Sequence, residues 1–234
     1  INLKSISVNE NNKYFTVDSD NNLYSKDGTM LYRLFDTGNV TIKEGVKNIK
    51  RGALMSNINS LILPESYIGD KTKDWGTFPR LEYLYLSKNA NTNFNACAYY
   101  LVKNIEISEE NPYLKSIDNQ YILSKDGTEL YWTSTELTNI NIPNTVKIIK
   151  NYAIMDSNVE MMILPENIEE IGAYIFYSSN VKKVEIQSNI KQINLQAFAG
   201  ANDLKEIRIH KKKDEISGSP WKSRYGERAI FWDE

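Results

Sequence analysis

Residues 137–209 read LTNINIPNTVKIIKNYAIMDSN, VEMMILPENIEEIGAYIFYSSN, VKKVEIQSNIKQINLQAFAGAND and LKEIRI when broken at Leu137, Val159, Val181 and Leu204. Each row opens on an apolar triplet: Leu137, Ile140, Ile142; Val159, Met162, Leu164; Val181, Val184, Ile186; Leu204, Ile207, Ile209. Behind the triplets run further matched columns: Val146, Ile168 and Ile190; Ile149, Ile171 and Ile193; and Ala153-Ile154, Ile175-Phe176 and Ala197-Phe198. A period of 22 or 23 residues sustained over several rows is the signature of stacked coils. A single row could not stand alone, because its few apolar side chains cannot offset the entropy of ordering the whole row. Stacking resolves this: the triplets become short strands that hydrogen-bond to their copies, and the columns merge into one core. Within each strand the triplet members point inward and the residues between them outward.

The same triplet is found before Leu137, at Leu3, Ile6, Val8; at Val40, Ile42; at Ile58, Leu61, Leu63; at Leu81, Leu84, Leu86; and at Val102, Ile105, Ile107. Two intervals are longer by about a dozen residues, and both insertions carry one motif, LYSKDGTMLY at 23–32 and ILSKDGTELY at 122–131. Asp-Gly between two apolar arms predicts a β-hairpin. The spacing of the insertions implies an internal duplication, at about 1–100 and 101–210, inside a single repeat domain spanning 1–234. Residues 211–234 read as a capping segment, with Ala229–Trp232 as a last strand and Trp221, Phe231 and Trp232 closing the core. The side opposite the sheet is expected to be irregular or made of single helical turns.

Composition is that of a folded protein, with 41% hydrophobic and 25% charged residues. A net charge of −2 and a pI near 5.7 leave no electrostatic footprint for nucleic acid. Lys211–Lys213, the only basic run, reads as a solvated turn. No apolar stretch reaches bilayer-spanning length, so membrane insertion of this segment is not expected. The start at Ile1 does not read as a secretory signal and is expected to be a processed or trimmed end.

The pattern I-x-I-P-x-x-V-x-x-I-x-x-x-A-[FI], seen here from Ile140 to Ile154, resembles the leucine-rich repeats of BspA-like bacterial surface proteins. Asn111-Pro112-Tyr113, Ser116-Ile117-Asp118 and Ser124–Thr128 look like the long-coil variant of those repeats, and Ser219-Pro220-Trp221 to Trp232 like their C-terminal end. The fold class implied is a leucine-rich-repeat solenoid, β-rich α/β, of about ten coils of 21–23 residues, two of them with β-hairpin insertions and with a parallel sheet on one face. The resemblance further implies a secreted or cell-surface location and a role in adhesion. Host extracellular-matrix proteins or other bacterial surface proteins are the partners of some members. A passive structural spacer or oligomerisation scaffold is the alternative.

Catalytic constellations have little to draw on. His210 is the only histidine and Cys97 the only cysteine, which disfavours zinc sites, Cys-His dyads and Ser-His-Asp triads. His210 is expected to be exposed at a strand end, and Cys97 to be a small core residue. No phosphate-binding glycine motif occurs, so no cofactor is expected. Asp18, Asp20 and Asn22 have calcium-loop spacing, but Leu23 stands where that loop needs glycine and Thr29 where it needs glutamate. They read as a polar loop, and no metal or catalytic residue is assigned. What remains is surface. Of the outward positions, most are polar, but Ile62 with Tyr83 and Tyr85, and Met161 with Ile163, are not. These five are the candidate partner-binding residues. The other reading is that the segment 65–79, with Trp75 and Phe78, folds over Tyr83 and Tyr85 and buries them.

Overall fold

A computed structural model describes residues 3–54, 57–69, 79–90, 99, 101–216 and 229–233. The chain forms two compact units, Ile1–Phe94 with Leu101–Tyr113, and Asn95–Tyr100 with Leu114–Glu234.

In unit 1, strands β1 (Phe15–Val17), β2 (Leu23–Ser25) and β3 (Met30–Arg33) form an antiparallel meander. Strand β4 (Gly38–Thr41) then opens a parallel ladder, while β5 (Asn48–Ile49) adds in parallel to β3. The ladder continues through β6 (Ile58–Ile62), β7 (Tyr83–Leu86) and β8 (Ile105–Ile107). Its register aligns Val40, Leu61, Leu84 and Ile105, the column predicted from the repeat. All four are buried, as are Ile42, Leu63, Leu86 and Ile107 beside them. A slip of one residue would turn these side chains to water, so burial itself sets the register. The first triplet fails to join. Residues 3–8 form no strand, and Leu3 is 50% exposed. The turn in which the Asn12 N–H donates to the Asn9 carbonyl leads the chain into the meander instead of the ladder.

Unit 2 opens on a second meander, β9 (Leu114–Ile117), β10 (Tyr121–Ser124) and β11 (Glu129–Thr133). The remaining strands alternate between two ladders. Strands β12 (Ile148–Ile149), β14 (Glu170–Ile171) and β16 (Gln192–Ile193) extend from β11 in parallel, aligning Leu130, Ile149, Ile171 and Ile193. Strands β13 (Met161–Ile163), β15 (Lys183–Ile186), β17 (Glu206–Ile209) and β18 (Ala229–Trp232) form the other, aligning Met162, Val184, Ile207 and Ile230. The side expected to be irregular or helical therefore carries its own parallel ladder of two-residue rungs, followed by turns at 151–156 and 173–178. A 3-10 turn, Lys213–Glu215, follows β17. The inner face of the turns is packed by Ala153, Ile154, Ile175, Phe176, Ala197 and Phe198, all fully buried in the same cluster as both ladders.

Two further differences have physical causes. The row from Leu137 to Ile142 buries Ile140 and Ile142 but forms no strand. Its Asn141 N–H donates to the hydroxyl of Tyr121 at 3.0 Å, so a hairpin side chain satisfies a donor that a ladder partner would otherwise take. At the other end β18 forms as predicted, and Trp232 packs on the core. Phe231 does not cap it: it is 44% exposed with the Arg208 guanidinium 5.3 Å from its ring centre. Trp221 and Cys97 lie outside the described residues.

Both predicted hairpins are present, closed by the same bonds. Gly28 and Gly127 have φ of 74° and 82°, and each N–H donates to the carbonyl of Ser25 or Ser124. Asp27 accepts from the Ser25 hydroxyl and the Thr29 N–H and hydroxyl. Asp126 does the same with Ser124 and Thr128 at 2.6, 3.0 and 2.9 Å. The Ser124 hydroxyl, followed by the two groups of Thr128, holds the Asp126 carboxyl down at about 2. A carboxyl held below its unfolded value contributes stability above that value and loses it as pH falls through the folded one. NMR titration should place the Asp126 midpoint near 2. Ser124→Ala should move it up toward the ordinary aspartate value of about 3.9.

Candidate interaction surfaces

The outward face of the unit 1 ladder carries two rows. Asn39, Ser60 and Tyr83 are in register, and so are Thr41, Ile62, Tyr85 and Glu106. Ser60 donates to the Asn39 side chain at 3.0 Å. Tyr83 donates its hydroxyl to Glu106 Oε2 at 2.6 Å. Partial burial, and then that carboxylate, push the Tyr83 hydroxyl well above the usual phenol range. At neutral pH it is therefore a fixed donor, its ring standing on the sheet. Ile62 is 38% exposed, and Tyr83 and Tyr85 are half-buried. Trp75 and Phe78, which would cover the tyrosines in the other reading, lie outside the described residues.

On the unit 2 ladder, Met161 and Ile163 flank the buried Met162 on β13 and are 50% and 54% exposed. The next rungs are charged. Met161 aligns with Lys183, which pairs with Glu206 at 2.8 Å; Ile163 aligns with Glu185. His210, expected to be exposed, is half-buried between Glu185 at 3.0 Å and Asp233 at 3.4 Å. Its hydrogen bond lowers the Glu185 pKa. The structure thus brings Ile62, Tyr83 and Tyr85 onto adjacent strands of one ladder, and Met161 and Ile163 onto one strand of another.

A third patch has a signal that sequence reasoning passed over. Tyr152 and Tyr174 occupy equivalent positions in successive rows and stack with centroids 5.0 Å apart and planes 5° apart. Tyr177 meets both edge-on. Both stacked residues have positive φ, 61° and 56°, a conformation unfavourable for a bulky side chain. The Tyr177 ring lies on Gly200, where a Cβ would come within 2.3 Å of it.

The calcium-spaced loop is a hydrogen-bonded turn. Asp18 Oδ1 accepts from the N–H of Asp20 and of Asn22. The Asn22 carboxamide, 2% exposed, donates to Asp18 Oδ2 at 3.1 Å and Asp36 Oδ2 at 3.0 Å, and accepts from the Phe35 N–H at 2.7 Å. Beside this network opens a cleft of about 610 Å³ whose lining includes Asp20, Phe35, Asp36, Thr37, Asn39 and Thr41. Among the described residues no group of three or more His, Cys, Asp or Glu side chains could hold a metal ion, and no helix is long and apolar enough to cross a membrane.

Parallel ladders of short strands on a period of 21 to 23 residues define a leucine-rich-repeat solenoid. Residues 126–224 match the family model described as BspA type leucine rich repeat region (6 copies). Among solved structures it is similar to a leucine-rich repeat protein from Eubacterium ventriosum, with a TM-score of 0.55 and 15% identity, covering 79% of this chain and 55% of that one. It is also similar to a leucine rich cell surface protein from Faecalibacterium prausnitzii, with a TM-score of 0.53 and 19% identity, covering 85% of this chain and 60% of that one. The chain thus spans under two thirds of either protein, and at these identities the likeness is one of fold. No curated protein matches the sequence.

Proposed function

We propose that the chain is a non-catalytic, adhesin-type protein-binding module of a bacterial cell-surface or secreted protein, and that it docks its partner on the exposed ladder face. The observation that carries this reading is the cluster of Ile62, Tyr83 and Tyr85 on adjacent strands, with the Tyr83 ring held by Glu106. Rigid aromatic side chains beside an exposed aliphatic one are the usual anchors of protein interfaces. Met161 and Ile163 offer a smaller second contact. The similarity in fold to a leucine rich cell surface protein of Faecalibacterium prausnitzii supports the cell-surface location. A host extracellular-matrix protein or another bacterial surface protein is the partner this location favours.

The test is binding to immobilised matrix proteins and to whole bacterial cells, with wild type and Tyr83→Ala/Tyr85→Ala compared. Loss of two anchors should weaken capture by about 30-fold or more, with the melting temperature within about 3 °C. A matching loss of stability would assign both rings to packing. Failure of the wild type to capture anything would leave the spacer reading in its place.

A further inference from the structure

We propose that the cleft between the Asp18–Asn22 loop and strand β4 is a binding site for a small polyhydroxylated ligand, a saccharide. Its volume of about 610 Å³ lies within the range of small-molecule sites, roughly 300–1,000 Å³. The lining is almost wholly polar and includes Asp20, Asp36, Thr37, Asn39 and Thr41, whose side chains bring carboxylate, carboxamide and hydroxyl groups together. Each sugar hydroxyl is both donor and acceptor, so it needs acceptor-only and mixed partners side by side, which carboxylate, amide and hydroxyl groups supply together.

The floor of the cleft is built. Asp36 is oriented from behind by Asn22, whose buried amide nitrogen donates to Asp36 Oδ2 and whose oxygen accepts from the Phe35 and Asp36 N–H groups. That network is not a requirement of the hairpin. In unit 2 the position equivalent to Asn22 is Tyr121, the first residue of β10 and 8% exposed, and Trp132 stands buried on β11. At that position one copy of the motif thus carries an aromatic ring and the other a carboxamide.

A bare cation fits less well. Asp18 spends Oδ1 on two backbone N–H groups, and Asp18 and Asp36 already share the Asn22 amide, so a metal ion would have to break bonds that the loop uses to hold its shape.

An open polar cleft should bind a monosaccharide weakly, with a Kd of about 1 mM or above. The test is a 1H–15N NMR titration of the full chain with N-acetyl-D-glucosamine, D-galactose and D-mannose up to about 50 mM. Arginine methyl ester and calcium chloride are titrated in parallel. The expected result is saturable shifts of the Asp20, Asp36, Thr37 and Asn39 amides with at least one sugar. Asp20→Ala should weaken that binding about 10-fold. Asp20 is exposed, and among the described residues its side chain accepts only from Ser19, so the fold should be unaffected; Tyr83→Ala/Tyr85→Ala should still bind the sugar. Sugar shifts elsewhere on the chain, none at all, or shifts of these amides only with arginine or calcium would overturn the proposal.

Discussion

Replacing Phe176 by alanine should cost unit 2 about 3–5 kcal/mol of stability, the usual loss for truncating a fully buried aromatic side chain. Phe176 is 0% exposed and stacks on Phe198 with centroids 6.5 Å apart and planes 13° apart. Its neighbours in the preceding and following rows, Ile154 and Ala197, are tied to the same turn. The Ile154 N–H donates to the Ile175 carbonyl, and the Ile175 N–H to that of Ala197. A cavity there opens between consecutive coils, and in a repeat array each coil is stabilised mainly by its neighbours. The loss should therefore be local at first. Hydrogen exchange should show amides of 148–193 losing protection well before those of β6 and β7 in unit 1. Urea denaturation measures the total; a change below about 1 kcal/mol would mean that the column does not carry the core. Tyr177→Ala, one residue along but 42% exposed, should cost markedly less.

The ladders could be read in the sequence because their signal is redundant. Val40, Leu61, Leu84 and Ile105, and Met162, Val184 and Ile207, are the middle members of successive triplets and pair in that register. Where the signal is one residue wide it was harder to interpret. Ile149, Ile171 and Ile193 stood out as a column, yet a two-residue rung has no alternation to mark it as a strand. Leu137–Ile142 has the full triplet but lost its ladder to the Tyr121 hydroxyl, a contact made by a side chain from the hairpin insertion. The surface was legible only as composition. The sequence places Ile62, Tyr83 and Tyr85 outward, but not the bond from Tyr83 to Glu106 that fixes one of the rings. The tyrosine stack at 152 and 174 depends on positive φ at both residues, which no propensity scale for tyrosine would suggest. The role of Asn22 was hidden for a related reason: its partners, Asp36 and the Phe35 N–H, come from the far side of the hairpin.

Asn22→Leu, which keeps the branched shape at a somewhat larger volume and removes the amide, should cost about 2–5 kcal/mol. In the wild type the carboxamide spends its nitrogen on two carboxylates, Asp18 Oδ2 and Asp36 Oδ2, and its oxygen on the N–H groups of Phe35 and Asp36. At 2% exposure no solvent replaces those bonds. The leucine variant would leave two backbone donors without their acceptor and two carboxylates without the donor they share. Each buried polar group left unsatisfied costs about 1–3 kcal/mol. Stability should therefore fall by more than the removal of one ordinary hydrogen bond. The Phe35 amide proton, which donates at 2.7 Å in the wild type, should exchange much faster than its neighbours. Asp18→Asn is the informative companion, because it keeps an acceptor for the Asp20 and Asn22 N–H groups while removing one negative charge from the pair around Asn22. If that variant matches or exceeds the wild type and Asn22→Leu is strongly destabilised, the amide acts as the donor that holds two carboxylates together. Equal stability of Asn22→Leu and wild type would show instead that the loop is held by its Asx turn alone.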